Sequence, residues 1–310
     1  FQQLPPVGDQ AMYDRECSLY SEIQDVIVLR QSHRQAGQSN GQLEFQEVLR
    51  SCQQGSLQEQ HWNVLKRRFC QTAADANDTM WDNAPHLFFD NKSAFEYNMH
   101  KLGNLGMPIA KIKAIHNNTA ASKCDSSEAN RLLSELYLAV GAEVMLTSNL
   151  WTDAGLHNGA KGKVVDIVYK YPEGPLHRNP QNQERQDIPE AVVVQFHALA
   201  NGVEPFLADI PWTIAIPVHS AEWYAGTKFF LRKQFPLVLS WAFTIHISQG
   251  KTLDLAVMDI GKSEKCCGMT VVALSRVHQL GHLLLKPFML EKLKKINNSS
   301  KVTIIQNSLE

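Results

Sequence analysis

The 310-residue sequence predicts an α/β fold carrying a small β-rich insertion. Three observations predict it. The apolar run His86–Phe89 is followed by a turn and a helical pattern to about Leu102, the strand–turn–helix order that begins an α/β unit. Between Ala142 and Val218 the pattern changes to short β-like runs separated by Gly- and Pro-rich segments, which suits a small barrel. After Phe235 strand and helix patterns alternate again.

Taken in order, QQLPPVG near the start reads as a turn-rich loop, because adjacent prolines remove donors and hold φ near about −65°. The β-branched run Asp25–Arg30 is a strand candidate. Gly41–Cys52 places Leu43, Val48, Leu49 and Cys52 near one helical face. Ser56 to Glu59 has the spacing of a capping box, so a helix with Leu57, Trp62, Leu65 and Phe69 opens there. Asp75–Pro85 reads as a linker, and a second capping box, Ser93 to Glu96, opens the next helix. Glu128 to about Ala139 reads as helix. Ala142–Thr147, Lys163–Lys170, Ala191–Phe196 and Trp212–Val218 read as strands, with the apolar-poor Tyr171–Pro189 between two of them. The closing order is strand Leu237–Trp241, helix Phe243–Gln249, strand Leu255–Ile260, helix Thr270–Val277 and strand His282–Leu285.

Apolar residues make up 44% and charged residues 20%, enough to bury a sizeable core. The net charge of −1 hides an asymmetry: residues 219–310 hold twelve Lys/Arg against six Asp/Glu, so they carry +6 and the rest −7. A basic C-terminal third suits an anionic partner lying along one face. Cysteines 17, 52, 70, 124, 266 and 267 show no CxxC spacing, which points away from a zinc site or a disulfide framework. The longest apolar stretch, Pro236–Ala242, is far short of the ~20 residues that span a bilayer. The expectation is a soluble, intracellular protein.

Gly250-Lys251-Thr252 looks like the end of a P-loop, but Ile245 stands where the phosphate cradle needs glycine. It reads as a decoy. Ala256–Asp259 could pass for a Walker-B strand, although apolar runs ending in Asp are common in buried parallel strands. The informative strings are TIHISQGKTL (Thr244–Leu253), on a strand-to-helix transition, and VALSRV (Val272–Val277), which carries Ser275 and Arg276. Singly, Arg276 would be a solvated charge and His246 a satisfied histidine; the strings carry the signal.

These strings resemble the Pif-one-like (petite-integration-frequency) DNA helicases of superfamily one, in the form carried by Helitron transposons. The resemblance rests on FQQLPPVGD (Phe1–Asp9), LRQSHRQ (Leu29–Gln35), FDNKSAFEYN (Phe89–Asn98), LAVGAEVMLTSNLWTDAGLHNGAKGKV (Leu138–Val164), RKQFPLVLSWAFTIHISQGKTL (Arg232–Leu253) and VALSRV, in the family's order. It runs from Phe1 to about Pro287.

The resemblance implies a motor that couples ATP hydrolysis to 5′-to-3′ movement on single-stranded DNA and to opening of duplex junctions. Gln3 matches the γ-phosphate-sensing glutamine. Arg34 and Arg276 match the two phosphate-facing arginines, a task suited to fixed, always-charged guanidinium groups. Gln249 and Gly250 match the motif linking the nucleotide to the DNA path. Thr244, His246 and Ser248 match positions facing the DNA backbone, and Pro5 and Pro6 the loop that the DNA crosses. Asn91, Asn149 and Asn158 lie in motifs near that path, though Asn is equally a turn residue. Lys228, Arg232, Lys233 and Lys251 add an electrostatic track, whereas Lys292, Lys294 and Lys295 fit a solvated helix face as well. Ile247 and His278 stand where the family usually has cations.

The implied fold is α/β, RecA-like (the P-loop NTPase type), with an inserted small Src-homology-three-like β-barrel. Residues 1–74 are expected to be the tail of a first RecA-like domain, 75–131 and 226–310 the second, and 132–225 the barrel. The P-loop, Walker-B acidic pair and most Mg²⁺ ligands are expected upstream of Phe1, which leaves this chain alone with half an ATP site. A nuclear location follows from the DNA substrate. The competing reading is a non-catalytic, transposon-derived remnant that only binds nucleic acid.

Overall fold

The computed structural model describes residues 33–170, 188–260 and 268–291. The strand expected at Asp25–Arg30 and the opening proline loop lie outside the described residues. In chain order the helices are α1 (Asn40–Gln54), α2 (Glu59–Lys66), α3 (Asn91–Gly103), α4 (Thr119–Lys123), α5 (Ile245–Ser248) and α6 (Met269–Leu274). The first strands are β1 (His86–Phe88), β2 (Ala110–Lys113), β3 (Ile115–His116), β4 (Glu135–Leu138), β5 (Glu143–Leu146), β6 (Lys161–Val168) and β7 (Ala191–Phe196). They are followed by β8 (Thr213–Pro217), β9 (His219–Ala225), β10 (Lys228–Gln234), β11 (Leu237–Leu239), β12 (Ala242–Thr244), β13 (Ala256–Asp259) and β14 (Leu283–Leu285). The chain divides into two compact units, 1–95 with 242–310, and 96–241.

The first unit is built on a parallel sheet of order β12-β1-β13-β14. Its strands are almost wholly apolar and buried, as strands covered on both faces must be. Phe45, Val48 and Leu49 of α1 pack with Leu65, Met258, Leu274 and Leu285 in its core. Ser39 caps α1, and Gly55, at φ +63°, ends it.

Several sequence expectations change here. Helix α2 is capped by Gln58 and His61, whose side chains pair reciprocally with the backbone, and not by Ser56 and Glu59. Helix α3 starts at Asn91, because the Asp90 carboxylate accepts from both the Ser93 backbone N–H and its hydroxyl. Phe243 and Thr244 belong to a strand, paired in parallel with Leu87 and Phe88; only one helical turn, α5, follows. Helix α6 stops at Leu274. The Val272 carbonyl there accepts from the Ser275 hydroxyl and from Arg276 Nε, so side chains take the acceptor that continued helix would use.

The expected linker at Asp75–Pro85 is a packed loop. Trp81 is buried and donates its indole N–H to the Asp75 carbonyl. Arg68 grips the Asp75 carboxylate with both nitrogens, at 2.6 and 3.0 Å, and donates to the Leu283 and Gly281 carbonyls. The Arg68 hydrogen bonds hold the Asp75 carboxyl below its usual range. Its stabilisation is therefore complete above the unfolded value of ~3.9 and disappears as pH falls through the lower folded value. Asp75→Asn should cost about 1.5–3 kcal/mol at neutral pH. In thermal melts, the gap between variant and wild type should narrow as pH falls below the ordinary carboxylate range; a constant gap would contradict this assignment.

In the second unit a five-stranded antiparallel sheet has the order β11-β5-β6-β7-β8, beside a three-stranded sheet β3-β10-β9 and the pair β2-β4. Its core joins Leu136, Leu138, Val144, Val192, Val194 and Phe196. The helix expected at Glu128–Ala139 is absent. Asn130 and Arg131 turn with positive φ, and Glu135–Leu138 alternates exposed and buried residues against Ala110–Lys113. Cross-strand pairing decides that segment over local helical spacing. Strands β9 and β10 form a hairpin that the sequence reading did not anticipate.

Gly162 sits where a Cβ would lie 2.6 Å from the Gln195 carbonyl oxygen and 2.6 Å from a Val194 methyl. Backbone cannot yield there as a flexible side chain could. Gly162→Ala should therefore destabilise by about 1–3 kcal/mol. Denaturant unfolding checks this, and an unchanged midpoint would refute the close approach.

Candidate functional site

The site lies where α5 and α6 end. After β12 the chain makes the single turn α5, then Gln249, then Gly250 at φ +82°, a backbone state that favours glycine. Lys251 and Thr252 follow, and Leu253 bridges in parallel to Val277. That bridge brings the turn beside Ser275 and Arg276.

Arg276 is only 2% exposed. Its guanidinium donates to the Val272 carbonyl at 2.7 Å and the Ser275 hydroxyl at 2.8 Å, with longer contacts to the Ser248 carbonyl at 3.4 Å and the Lys251 carbonyl at 3.3 Å. It thereby ties α6 to the turn after α5. Arg34 approaches the same junction from the other end of the sequence: Nε donates to the Thr252 hydroxyl at 2.9 Å, and another nitrogen to the Ser275 carbonyl at 3.0 Å. Buried Gln35 donates to the Ser275 and Val277 carbonyls, and its own carbonyl accepts from Gln42 and Gln46 of α1. His278 Nδ1 lies 2.9 Å from the Arg34 carbonyl oxygen.

The electrostatics follow from this crowding. Burial, and then the charge of Arg34, push the Arg276 pKa down to about 10; burial also lowers that of Arg34. An opposite charge beside guanidinium groups held this way favours their charged form. Among the described residues no group of three or more His, Cys, Asp or Glu could hold a metal ion.

The remaining sequence-predicted residues are distributed as follows. Thr244 and Ser248 are buried, and the Ser248 hydroxyl donates to the Ile245 carbonyl at 2.6 Å. His246 is exposed, Gln249 is half-buried, and the Lys251 ammonium lies 5.8 Å from the centre of the Phe243 ring. Asn91 is exposed at the start of α3. In the second unit Asn149 and Asn158 meet: the Asn149 side-chain oxygen accepts from the Asn158 N–H at 2.8 Å. Gln3, Pro5, Pro6, Lys292, Lys294 and Lys295 lie outside the described residues.

Arg232 is corrected. It is fully buried, with its guanidinium donating to the carbonyls of Leu132, Ala121 and Cys124, so it holds the second unit together and contributes no surface cation. Lys228 and Lys233 are exposed. The sequence reading missed Thr252, dismissed with the decoy P-loop, and Gln35, although both stand inside strings that it quoted.

The family model described as DNA helicase Pif1, 2B domain, matches residues 129–167, which span β4 to β6 and the Asn149–Asn158 loop. The chain is similar to the ATP-dependent DNA helicase PIF1 of Rattus norvegicus, 27% identical over 294 residues that cover 93% of this chain and 40% of the rat protein. The corresponding protein of Danio rerio is 37% identical over 49% of this chain and 19% of its own length. The crystal structure of Pif1 helicase from Candida albicans superposes with a TM-score of 0.71 at 24% identity, covering all of this chain and 67% of that one. The chain is thus similar to Pif1 helicases in sequence and shares their fold. A Bacteroides Pif1 in complex with ADP-AlF3 and single-stranded DNA shares the fold, with a TM-score of 0.62 at 20% identity over 99% of this chain and 65% of that one. The chain spans less than half the length of the rat relative. No helix among its described residues is long and apolar enough to cross a membrane.

Proposed function

We propose that this chain is the C-terminal part of an ATP-dependent DNA helicase that moves 5′ to 3′ on single-stranded DNA and opens duplex junctions. The observation that carries the reading is the junction of Arg34 and Arg276 around Ser275 and Thr252. Two guanidinium groups brought together from distant parts of the sequence make an acceptor for charge that develops on a transferring phosphoryl group. Arg276 is oriented by α6, and Arg34 is held by Thr252. Gln3 acts with them as the sensor of the γ-phosphate, and Mg²⁺ is held by residues outside those described. Bound ATP supplies the phosphoryl group.

Gln249 and Gly250 link that cleft to the DNA path. Exposed His246, with Lys251, Asn91, Asn149, Asn158, Pro5 and Pro6, faces the strand, while buried Thr244 and Ser248 shape the turn behind it. In this reading the first unit holds the end of one RecA-like domain and most of the second. Strands β5 to β8 of the second unit belong to the inserted Src-homology-three-like barrel, at about 132–225, and the protein works in the nucleus. Hydrolysis of ATP by the native full-length polypeptide, with and without single-stranded DNA, tests the proposal. Turnover stimulated by DNA is expected; binding of DNA without any turnover favours the non-catalytic remnant instead.

A further inference from the structure

The hairpin β9–β10 turns through two residues, Gly226 and Thr227, with Gly226 at φ +63°. One of its faces is anchored: Ala221, Phe230 and Arg232 are buried, and Trp223 packs with Ala129, Leu132 and Ala221. The other face presents Tyr224, 72% exposed, directly opposite Phe229, 40% exposed, with ring centres 5.4 Å apart. Farther along that face lie Leu231, opposite Glu222, and Lys233, paired in register with exposed Ile115. Lys228 pairs with Ala225 beside the turn and so belongs to the anchored face, with Phe230 and Arg232. Lys233 is the ammonium of the ring face.

The neighbouring edge narrows the choice of occupant. The Asn117 side chain donates to the Phe229 carbonyl at 3.1 Å and accepts from the Leu231 N–H at 3.0 Å. Those β10 backbone groups are thus engaged beside the rings, which disfavours an added peptide strand there. What the surface offers is π-faces held in place by the buried side of the hairpin, with the Lys233 cation on the same face.

Resting on the nucleic-acid reading above, we propose that Tyr224 and Phe229 form a stacking platform for unpaired bases of a single-stranded nucleic acid, with Lys233 on the same face taking a phosphate. Aromatic faces bind any base, and a lysine–phosphate contact makes the binding salt-sensitive.

The test measures binding of the 310-residue chain to fluorescein-labelled oligothymidylate and to an abasic oligomer of equal length across a salt series. Tyr224→Ala/Phe229→Ala should bind oligothymidylate about tenfold or more weakly, with an unchanged salt slope, and the abasic oligomer as wild type does. Tyr224→Ala alone, which removes a ring lying mostly in solvent, should show part of the same loss with an unchanged melting temperature. Lys233→Gln should flatten the salt slope. Wild-type binding with no loss in either ring variant overturns the platform alone, as does equal loss on the abasic oligomer. Failure of the wild-type chain to bind any oligomer overturns the nucleic-acid reading and the platform together.

Discussion

Arg276→Lys in the full-length polypeptide is expected to lower kcat for DNA-stimulated ATP hydrolysis by about 10³- to 10⁵-fold, the range over which transition-state arginines act. The reason is geometric. Lysine keeps a positive charge but cannot donate at once to the Val272 carbonyl and the Ser275 hydroxyl and still present a planar donor edge. With a pKa lowered to about 10, Arg276 is still a cation at neutral pH, so its own titration should not bend the rate profile below about pH 9. The variant also loosens the end of α6, so melting temperatures are measured beside the rates. A folded Arg276→Lys protein with near-wild-type kcat would remove Arg276 from the reaction and reduce it to a tie between α6 and the turn after α5.

The second large effect concerns stability. Arg232→Met should cost about 3–5 kcal/mol in denaturant unfolding of the 310-residue chain. Three backbone carbonyls, those of Leu132, Ala121 and Cys124, lose a buried donor at once, and methionine offers nothing in return. Two of those carbonyls lie at the C-terminal end of α4, where a cation also complements the helix dipole. Burial depresses the Arg232 pKa, opposed by Cys124, Asp125 and Glu128; the two carboxylates offset part of the cost of holding a charge inside. Trp223 lies against the guanidinium at 5.8 Å. Arg232→Lys should recover only part of the loss, because a single ammonium cannot span all three acceptors. A shift below about 1 kcal/mol would mean that water satisfies these carbonyls and that the arginine is incidental.

The strings quoted from the sequence placed both arginines of the candidate site in one functional set, but not their surroundings. VALSRV reads as a continuing helix because nothing local reveals that Ser275 and Arg276 bend back onto Val272. Arg232 reads as a surface cation for a similar reason: its acceptors come from residues about a hundred positions away, and a pattern of charges carries no trace of them. The parallel strands were legible as apolar runs because both of their faces are covered. Glu135–Leu138 was not, since its alternation is short and follows a stretch with helical spacing; pairing with Ala110–Lys113 settles it. The β9–β10 hairpin turns at Gly226-Thr227, which lacks the Asn-Gly or Asp-Gly signature that marks tight hairpins most strongly. Thr252 was set aside with a failed P-loop match, although its hydroxyl, and not a phosphate cradle, is what the site uses to hold Arg34.

The most direct test of the central claim is strand displacement by the native full-length polypeptide on two labelled duplexes, one with a 5′ single-stranded tail and one with a 3′ tail, in the presence and absence of ATP. The account predicts ATP-dependent release of the strand from the 5′-tailed duplex only, abolished by Arg276→Lys. Tight binding to both substrates with no release from either would contradict it and leave a protein that holds DNA without moving along it.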